Sequence, residues 1–129
     1  QVAESGLILS SFDARMDEIY WGLFRREGPI LQSVAAEQLC SPERLQLPAE
    51  HLNNDGVSIV GSGWDYANRI KPIVNTLSVE VQLLPRASAL VTLANAAFET
   101  DERYAASDAL PVYLRDQVAW KKTAPMPER

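Results

Sequence analysis

Hydrophobic positions along this chain alternate at one spacing, then at another, and each change marks an element. Leu7-Ile8-Leu9-Ser10-Ser11-Phe12 is a short apolar run of buried-strand length. Polar Asp13-Ala14-Arg15-Met16-Asp17 then turns the chain, and Ile19-Tyr20-Trp21-Gly22-Leu23-Phe24 carries apolar groups on both alternating faces. A strand apolar on both faces is covered on both sides, so it belongs inside a sheet. Gly28-Pro29 makes the next turn, and Ile30 to Ala36 alternates more loosely, as a peripheral strand does. Three strands joined by short turns predict an antiparallel meander.

The pattern changes after Cys40. Ser41-Pro42-Glu43 reads as a helix start: a hydroxyl cap, proline at the first helical position and an acid in the first turn. Pro48 ends that helix early. Asn53-Asn54-Asp55-Gly56 is a turn, Val57-Ser58-Ile59-Val60 a strand, and Gly61-Ser62-Gly63-Trp64 leads into a helix from about Asp65 to Lys71. Leu77, Val79, Val81 and Leu83 alternate with polar residues as a fifth strand. After Pro85, Leu90, Leu93, Ala94, Ala97 and Phe98 form one apolar helical stripe, with fraying expected at Asp101 and Glu102, where acids oppose the dipole. From Asp108 the chain reads as extended around Pro111-Val112-Tyr113-Leu114.

The order βββ-α-β-α-β-α predicts an α/β fold: a mixed five-stranded sheet with helices packed on it, the ribonuclease H-like arrangement. Residues 1–110 form the lobe and residues 111–129 a tail expected to pack on it. The expected apolar set is Leu9, Trp21, Leu23, Ile59, Leu90, Leu93 and Phe98, with Tyr113 and Leu114 of the tail too apolar to stay in water. At 129 residues the chain has the length of one domain and buries a core without disulfides or metals.

Composition excludes several chemistries. One Cys and one His, Cys40 and His51, rule out an internal disulfide and a Cys/His zinc cluster within one chain. No apolar run approaches the ~18 residues of a membrane span, and no basic segment precedes an apolar one at the start, so a cytoplasmic protein is expected. The chain opens on Gln1, as a processed or trimmed product would. Residues 1–110 carry 8 Lys/Arg against 15 Asp/Glu, while residues 111–129 carry four basic against two acidic residues. An acidic body is unsuited to gripping a phosphate backbone. The basic tail reads as a solvated arm, with a minor electrostatic contact as the alternative.

Candidate chemistry is sparse. Two-metal nucleases of this fold class need carboxylates on inner strands, yet the runs Leu7–Phe12, Ile19–Phe24 and Val57–Val60 contain none. Asp13, Asp17 and Glu18 sit at the first hairpin and Asp65 follows the glycine loop, positions where acids are usually structural. Gly61-Ser62-Gly63 after a strand has the form of a phosphate-cradling loop, but it lacks the third glycine of a dinucleotide fingerprint and the Lys-Ser/Thr of a P-loop. A tight strand-to-helix turn is the plainer reading. Cys40 beside a helix start has the position of an activated thiol, with only His51 as a base; a structural cysteine is expected instead. Trp21 reads as core and Trp64 as a cap on the turn. Trp120, beside Val118 and Lys121-Lys122, either folds back on its own domain or meets a partner.

Three blocks carry a resemblance. Asp13-Ala14-Arg15-Met16-Asp17-Glu18-Ile19-Tyr20-Trp21, Val60-Gly61-Ser62-Gly63-Trp64 and Pro111-Val112-Tyr113-Leu114-Arg115 with Val118-Ala119-Trp120-Lys121-Lys122 resemble, in order and spacing, the second half of the TsaB (YeaZ) family. The likeness runs from about Leu7 to Lys122. The family's first lobe, with its Ile-Asp-Thr strand and Gly-Pro-Gly-Ser-Phe-Thr-Gly loop, has no counterpart in this sequence. The resemblance implies a ribonuclease H-like lobe of the actin-like ATPase superfamily and a non-catalytic subunit in forming N6-threonylcarbamoyladenosine at position 37 of tRNAs reading ANN codons. It implies TsaD and TsaE as partners, TsaD through the first lobe, with tRNA met only indirectly, no membrane, and a homodimer for the full-length protein. A rival reading, from the glycoprotease label of the family, is a peptidase or ATPase.

Second lobes of the superfamily typically place an Asp-x-Gly phosphate turn at the first hairpin and a Gly-Gly adenosine loop after the fourth strand. Asp13-Ala14-Arg15 and Gly61-Ser62-Gly63-Trp64 depart from both, which implies a scaffold without nucleotide. No catalytic, cofactor-binding or metal residue is expected. The candidate interaction or motif positions are Asp13, Arg15, Gly61, Gly63, Trp64, Tyr113, Arg115 and Trp120.

Overall fold

The computed structural model describes residues 5–28, 30–51, 56–72, 76–99, 105–108 and 110–115. Five strands form one sheet: β1 Ser5–Arg15, β2 Glu18–Glu27, β3 Ile30–Cys40, β4 Val57–Val60 and β5 Thr76–Glu80. Their order across the sheet is β3-β2-β1-β4-β5. β1, β2 and β3 are antiparallel neighbours, as short turns require. β4 lies parallel to β1 and β5 parallel to β4, each reached by a longer crossover.

The meander is longer than the apolar runs predict, because the ladder continues past them. Polar Asp13 pairs with Ile19, and Glu27 pairs with both Ser5 and Ile30. Backbone pairing propagates wherever a partner strand is present, whatever the side chain. β2 is flanked by two strands and buries Ile19, Trp21 and Leu23 on one face at 0, 4 and 0% exposure, while Tyr20 and Phe24 on the other face are half-buried, so the expected full cover on both sides is corrected.

One face of the sheet holds the core. Leu7 and Leu9 of β1, Ile19, Trp21 and Leu23 of β2, and Val57 and Ile59 of β4 meet Leu45 and Ile70 from the segments that cross over them. Each fully buried Leu or Ile is worth roughly 1.5–3 kcal/mol. The cover differs from the expected pair of helices. Pro42–Arg44 and Ser62–Tyr66 are single 3-10 turns, and Ala49–His51 is another. Pro42 and Glu43 take the expected first-turn places, but Ser41 makes no capping hydrogen bond, and Pro48 and the glycines leave too few residues to propagate an α-helix.

The one α-helix among the described residues, α1, spans Ala87–Glu99 and has no buried residue. Leu90, Leu93 and Phe98 are 68, 44 and 73% exposed, so this part of the expected core is corrected. Ala89, Thr92 and Leu93 of α1 line a shallow hollow shared with Ile8, Val60 and Leu83. The expected turn at Asn53–Asp55, the fraying end at Asp101 and Glu102, and Trp120 lie outside the described residues.

Candidate functional site at the first hairpin

The turn between β1 and β2 is unusual in its backbone. Arg15, Met16 and Asp17 have φ of 63, 57 and 62°, three successive side-chain-bearing residues in the left-handed region. Each non-glycine residue there costs about 1–2 kcal/mol, so other contacts must hold the turn in place. They come from Asp13 on β1, from residues 62–69 and from Arg115.

Asp13 anchors the inner side. Its carboxylate accepts the Arg15 backbone N–H at 2.8 Å and the Arg15 guanidinium at 3.2 Å, and the Tyr66 hydroxyl donates to it at 3.3 Å. Its own N–H donates to Ser62 Oγ at 3.2 Å. The Asp13 register shift against Ile19 and Glu18 places Ala14 as a bulge facing inward, 7% exposed. Desolvation, and then the adjacent Asp13 carboxylate, push the Tyr66 phenol above its ordinary range.

Two arginines close the outer side. Arg69 donates to Glu43 at 2.6 Å and to Asp17 at 3.2 Å, and lies 5.5 Å from the Tyr66 ring centroid. The Arg69 hydrogen bond holds Glu43 below the ordinary carboxylate range. Arg115 donates to Glu18 at 2.6 Å, to the Arg15 carbonyl at 3.4 Å, and approaches Met16 Sδ at 3.3 Å. Its side chain is only 16% exposed, against 36% for Glu18. Asp13, Asp17 and Glu18 therefore all face partners with N–H or O–H donors, as structural carboxylates do. Among the described residues no cluster of three His, Cys, Asp or Glu side chains has metal-binding geometry.

The glycine loop is shaped by what it packs against. A Cβ on Gly61 would sit 2.3 Å from the Ser11 carbonyl oxygen, and one on Gly63 would sit 2.0 Å from Ser11 Oγ and 2.9 Å from the Phe12 nitrogen. Gly61 also has φ of 95°, and its N–H donates to the Glu80 carbonyl at 3.1 Å. The two glycines let the loop lie directly on β1, sealing Ser11, whose hydroxyl has no partner among the described residues. A phosphate cradle needs open N–H groups and an approach path. This loop has a strand beneath it and Trp64 packed on the core beside it. At the other loop, Arg15 occupies the left-handed position where an Asp-x-Gly turn carries glycine. The residues present do not fit a nucleotide.

The remaining candidates are dispersed. Cys40, half-buried, pairs with Ile19 in the sheet. Burial pushes its thiol up, partly offset by the Trp21 indole N–H and Arg44, the opposite of activation. Tyr113 is 78% exposed, contrary to its expected burial, while Leu114 and Arg115 are half-buried. Sequence reasoning missed Glu43, Tyr66 and Arg69. They lie 26 to 53 residues from their partners and leave no local signal.

A mixed five-stranded sheet of this topology, with a clamped first hairpin and a glycine loop seated on β1, defines a ribonuclease H-like lobe of the actin-like kind. No family model matches the sequence. Over 117 residues the chain is 34% identical to the tRNA threonylcarbamoyladenosine biosynthesis protein TsaB of Escherichia coli (strain K12), aligning 89% of this chain with 50% of that protein. It is 31% identical over 123 residues to TsaB of Haemophilus influenzae, again with 50% of that protein covered. YeaZ from Pseudomonas aeruginosa superposes with a TM-score of 0.71 at 32% identity, over 84% of this chain and 50% of YeaZ. A second solved structure, an uncharacterized protein with similarity to peptidase YeaZ, gives 0.74 at 32% identity over 86% of this chain and 50% of its own. The chain is a partial match to the TsaB/YeaZ family, corresponding to its C-terminal lobe. It spans about half the length of the curated relatives it matches. No described helix is long and apolar enough to cross a membrane.

Proposed function

We propose that this chain is a non-catalytic scaffold lobe in the cytoplasmic machinery that forms N6-threonylcarbamoyladenosine on tRNA. In this reading it supports TsaD, which with TsaE is its partner system, and meets tRNA only through them. A homodimer belongs to the full-length protein. The relatives' printed role supplies the pathway. The observation that carries the scaffold reading is the first hairpin, where Asp13, Asp17 and Glu18 all accept from structural donors and Arg15 takes the phosphate-turn position. A catalytic lobe keeps such carboxylates turned toward a ligand or metal.

Calorimetry with ATP and magnesium tests it. The expected result is binding no tighter than about millimolar, a strength of ~4 kcal/mol. A micromolar constant, or ATP or peptide hydrolysis by the purified chain, would establish the peptidase or ATPase reading instead. In this reading the main TsaD contact lies on the first lobe, so this chain alone is expected neither to capture TsaD nor to restore tRNA modification. Tight capture of TsaD by residues 1–129 would move that surface onto this lobe.

A further inference from the structure

Residues 110–115 return to the first hairpin, and one side chain ties them there. Among the described residues, every hydrogen bond from this segment to the hairpin is made by Arg115: to Glu18 Oε2 at 2.6 Å, to the Arg15 carbonyl at 3.4 Å and to Met16 Sδ at 3.3 Å. These three acceptors are unequal. The carboxylate contact is short and charge-assisted, whereas a thioether sulfur accepts only weakly. Apolar burial adds little along most of the segment, since Leu110, Val112 and Tyr113 are 76, 83 and 78% exposed. The hold on the segment therefore depends on what the guanidinium meets, and its weakest partner is the one that simple chemistry can change.

Met16 is open to that chemistry. It stands at the tip of the turn, 61% exposed, so an oxidant in water reaches it and a polar product disrupts no packed core. The co-reactant is a hydroperoxide. A sulfur lone pair attacks one peroxide oxygen, the S–O bond forms as the O–O bond breaks, and hydroxide leaves. The proton on the transferred oxygen then passes to that hydroxide, giving a sulfoxide and, from hydrogen peroxide, water. Sulfur is oxidised by one electron pair and the peroxide is reduced by the same pair. The new oxygen lies one bond from a sulfur already 3.3 Å from Arg115 Nη1, and it is a dipolar acceptor in place of a soft one. A buried methionine loses packing when oxidised, but this one gains a hydrogen-bond partner. We propose that Met16 is a modification site for hydroperoxides, and that its sulfoxide locks residues 110–115 onto the hairpin through Arg115. Reduction to the thioether releases the lock, so the modification is reversible.

Chymotrypsin cleavage after the exposed Tyr113 reads how tightly the segment is held, because cleavage requires local opening. The full chain is treated with hydrogen peroxide and digested beside untreated chain. Met16→Leu, treated in the same way, accounts for oxidation at Cys40 and Met126. The expected result is one added oxygen on the peptide holding Met16 and cleavage slowed at least about threefold, as a weak contact becomes a charge-assisted hydrogen bond. Methionine sulfoxide reductase restores the original rate. Met16→Leu shows no slowing, Arg115→Ala abolishes it, and Arg115→Lys keeps part of it. Met16 left unmodified at a peroxide concentration that oxidises free methionine would overturn the proposal. Unchanged or faster cleavage after oxidation, or equal slowing in Arg115→Ala, would do the same.

Discussion

At the residue scale, glycine placement separates two kinds of constraint. Gly28 has φ of 59° with open space around it, so only the backbone conformation asks for glycine there. Gly63 has ordinary φ but sits against the backbone of β1, where a Cβ meets Ser11 and Phe12 closer than any real contact. Gly28→Ala gains left-handed strain of about 1–2 kcal/mol and recovers part of it through a less flexible unfolded chain, for a net cost of about 1 kcal/mol or less. Gly63→Ala must displace a strand, at about 3 kcal/mol. Urea denaturation of both variants checks the difference. Equal costs would show that the loop is free to lift from β1.

At the scale of elements, the hairpin is held by pairs that join distant segments, and each pair has its own signature. Arg115 and Glu18 are partly buried, so their coupling should exceed that of an exposed pair, at about 1 kcal/mol in a double-mutant cycle of Arg115→Ala and Glu18→Gln. Additive effects would show that Arg115 acts through its carbonyl and methionine contacts alone. Glu43 and Arg69 are more exposed and report through pH. Glu43 is held below the ordinary range by Arg69, so its contribution is present above that range and lost as pH falls through it. Melting temperatures from pH 7 down to about pH 3 should drop less steeply in Glu43→Gln than in the parent chain. Identical slopes would rule this pair out as a source of acid sensitivity.

At the scale of the whole molecule, stability is uneven. β1, β2 and β4 supply seven of the nine core positions, while α1 buries none of its residues. A 13-residue helix without a buried face is marginal in water. Hydrogen exchange should therefore release α1 amides at least about a hundredfold faster than those of Leu9, Leu23 and Ile59, because local opening of α1 breaks no core contact. Comparable protection would show that α1 is covered in solution. The core itself should still melt cooperatively, with stability on the order of 5–15 kcal/mol.

The strands, their succession along the chain and the interior place of β2 were legible in the sequence, because a period-two pattern is local and Trp21 and Leu23 show it within a few residues; that β1 rather than β2 is the central strand was not. So was the type of α1, from the spacing of its apolar residues. Its packing was not, since the same stripe forms whether it is buried or exposed. The glycines of the 61–63 loop were legible as a turn. Their role against Ser11 depended on which strand ended up beneath them. Asp13 and Arg115 drew attention in the sequence through the motif blocks, but Glu43, Tyr66 and Arg69 did not. What joins Asp13, Tyr66, Arg69 and Arg115 is a turn of three left-handed residues, and of Arg15-Met16-Asp17 only the aspartate readily adopts that geometry by itself. Only the tertiary structure decides it, because donors 52 to 100 residues away in the chain supply the hydrogen bonds that make the strained turn the lower-energy choice.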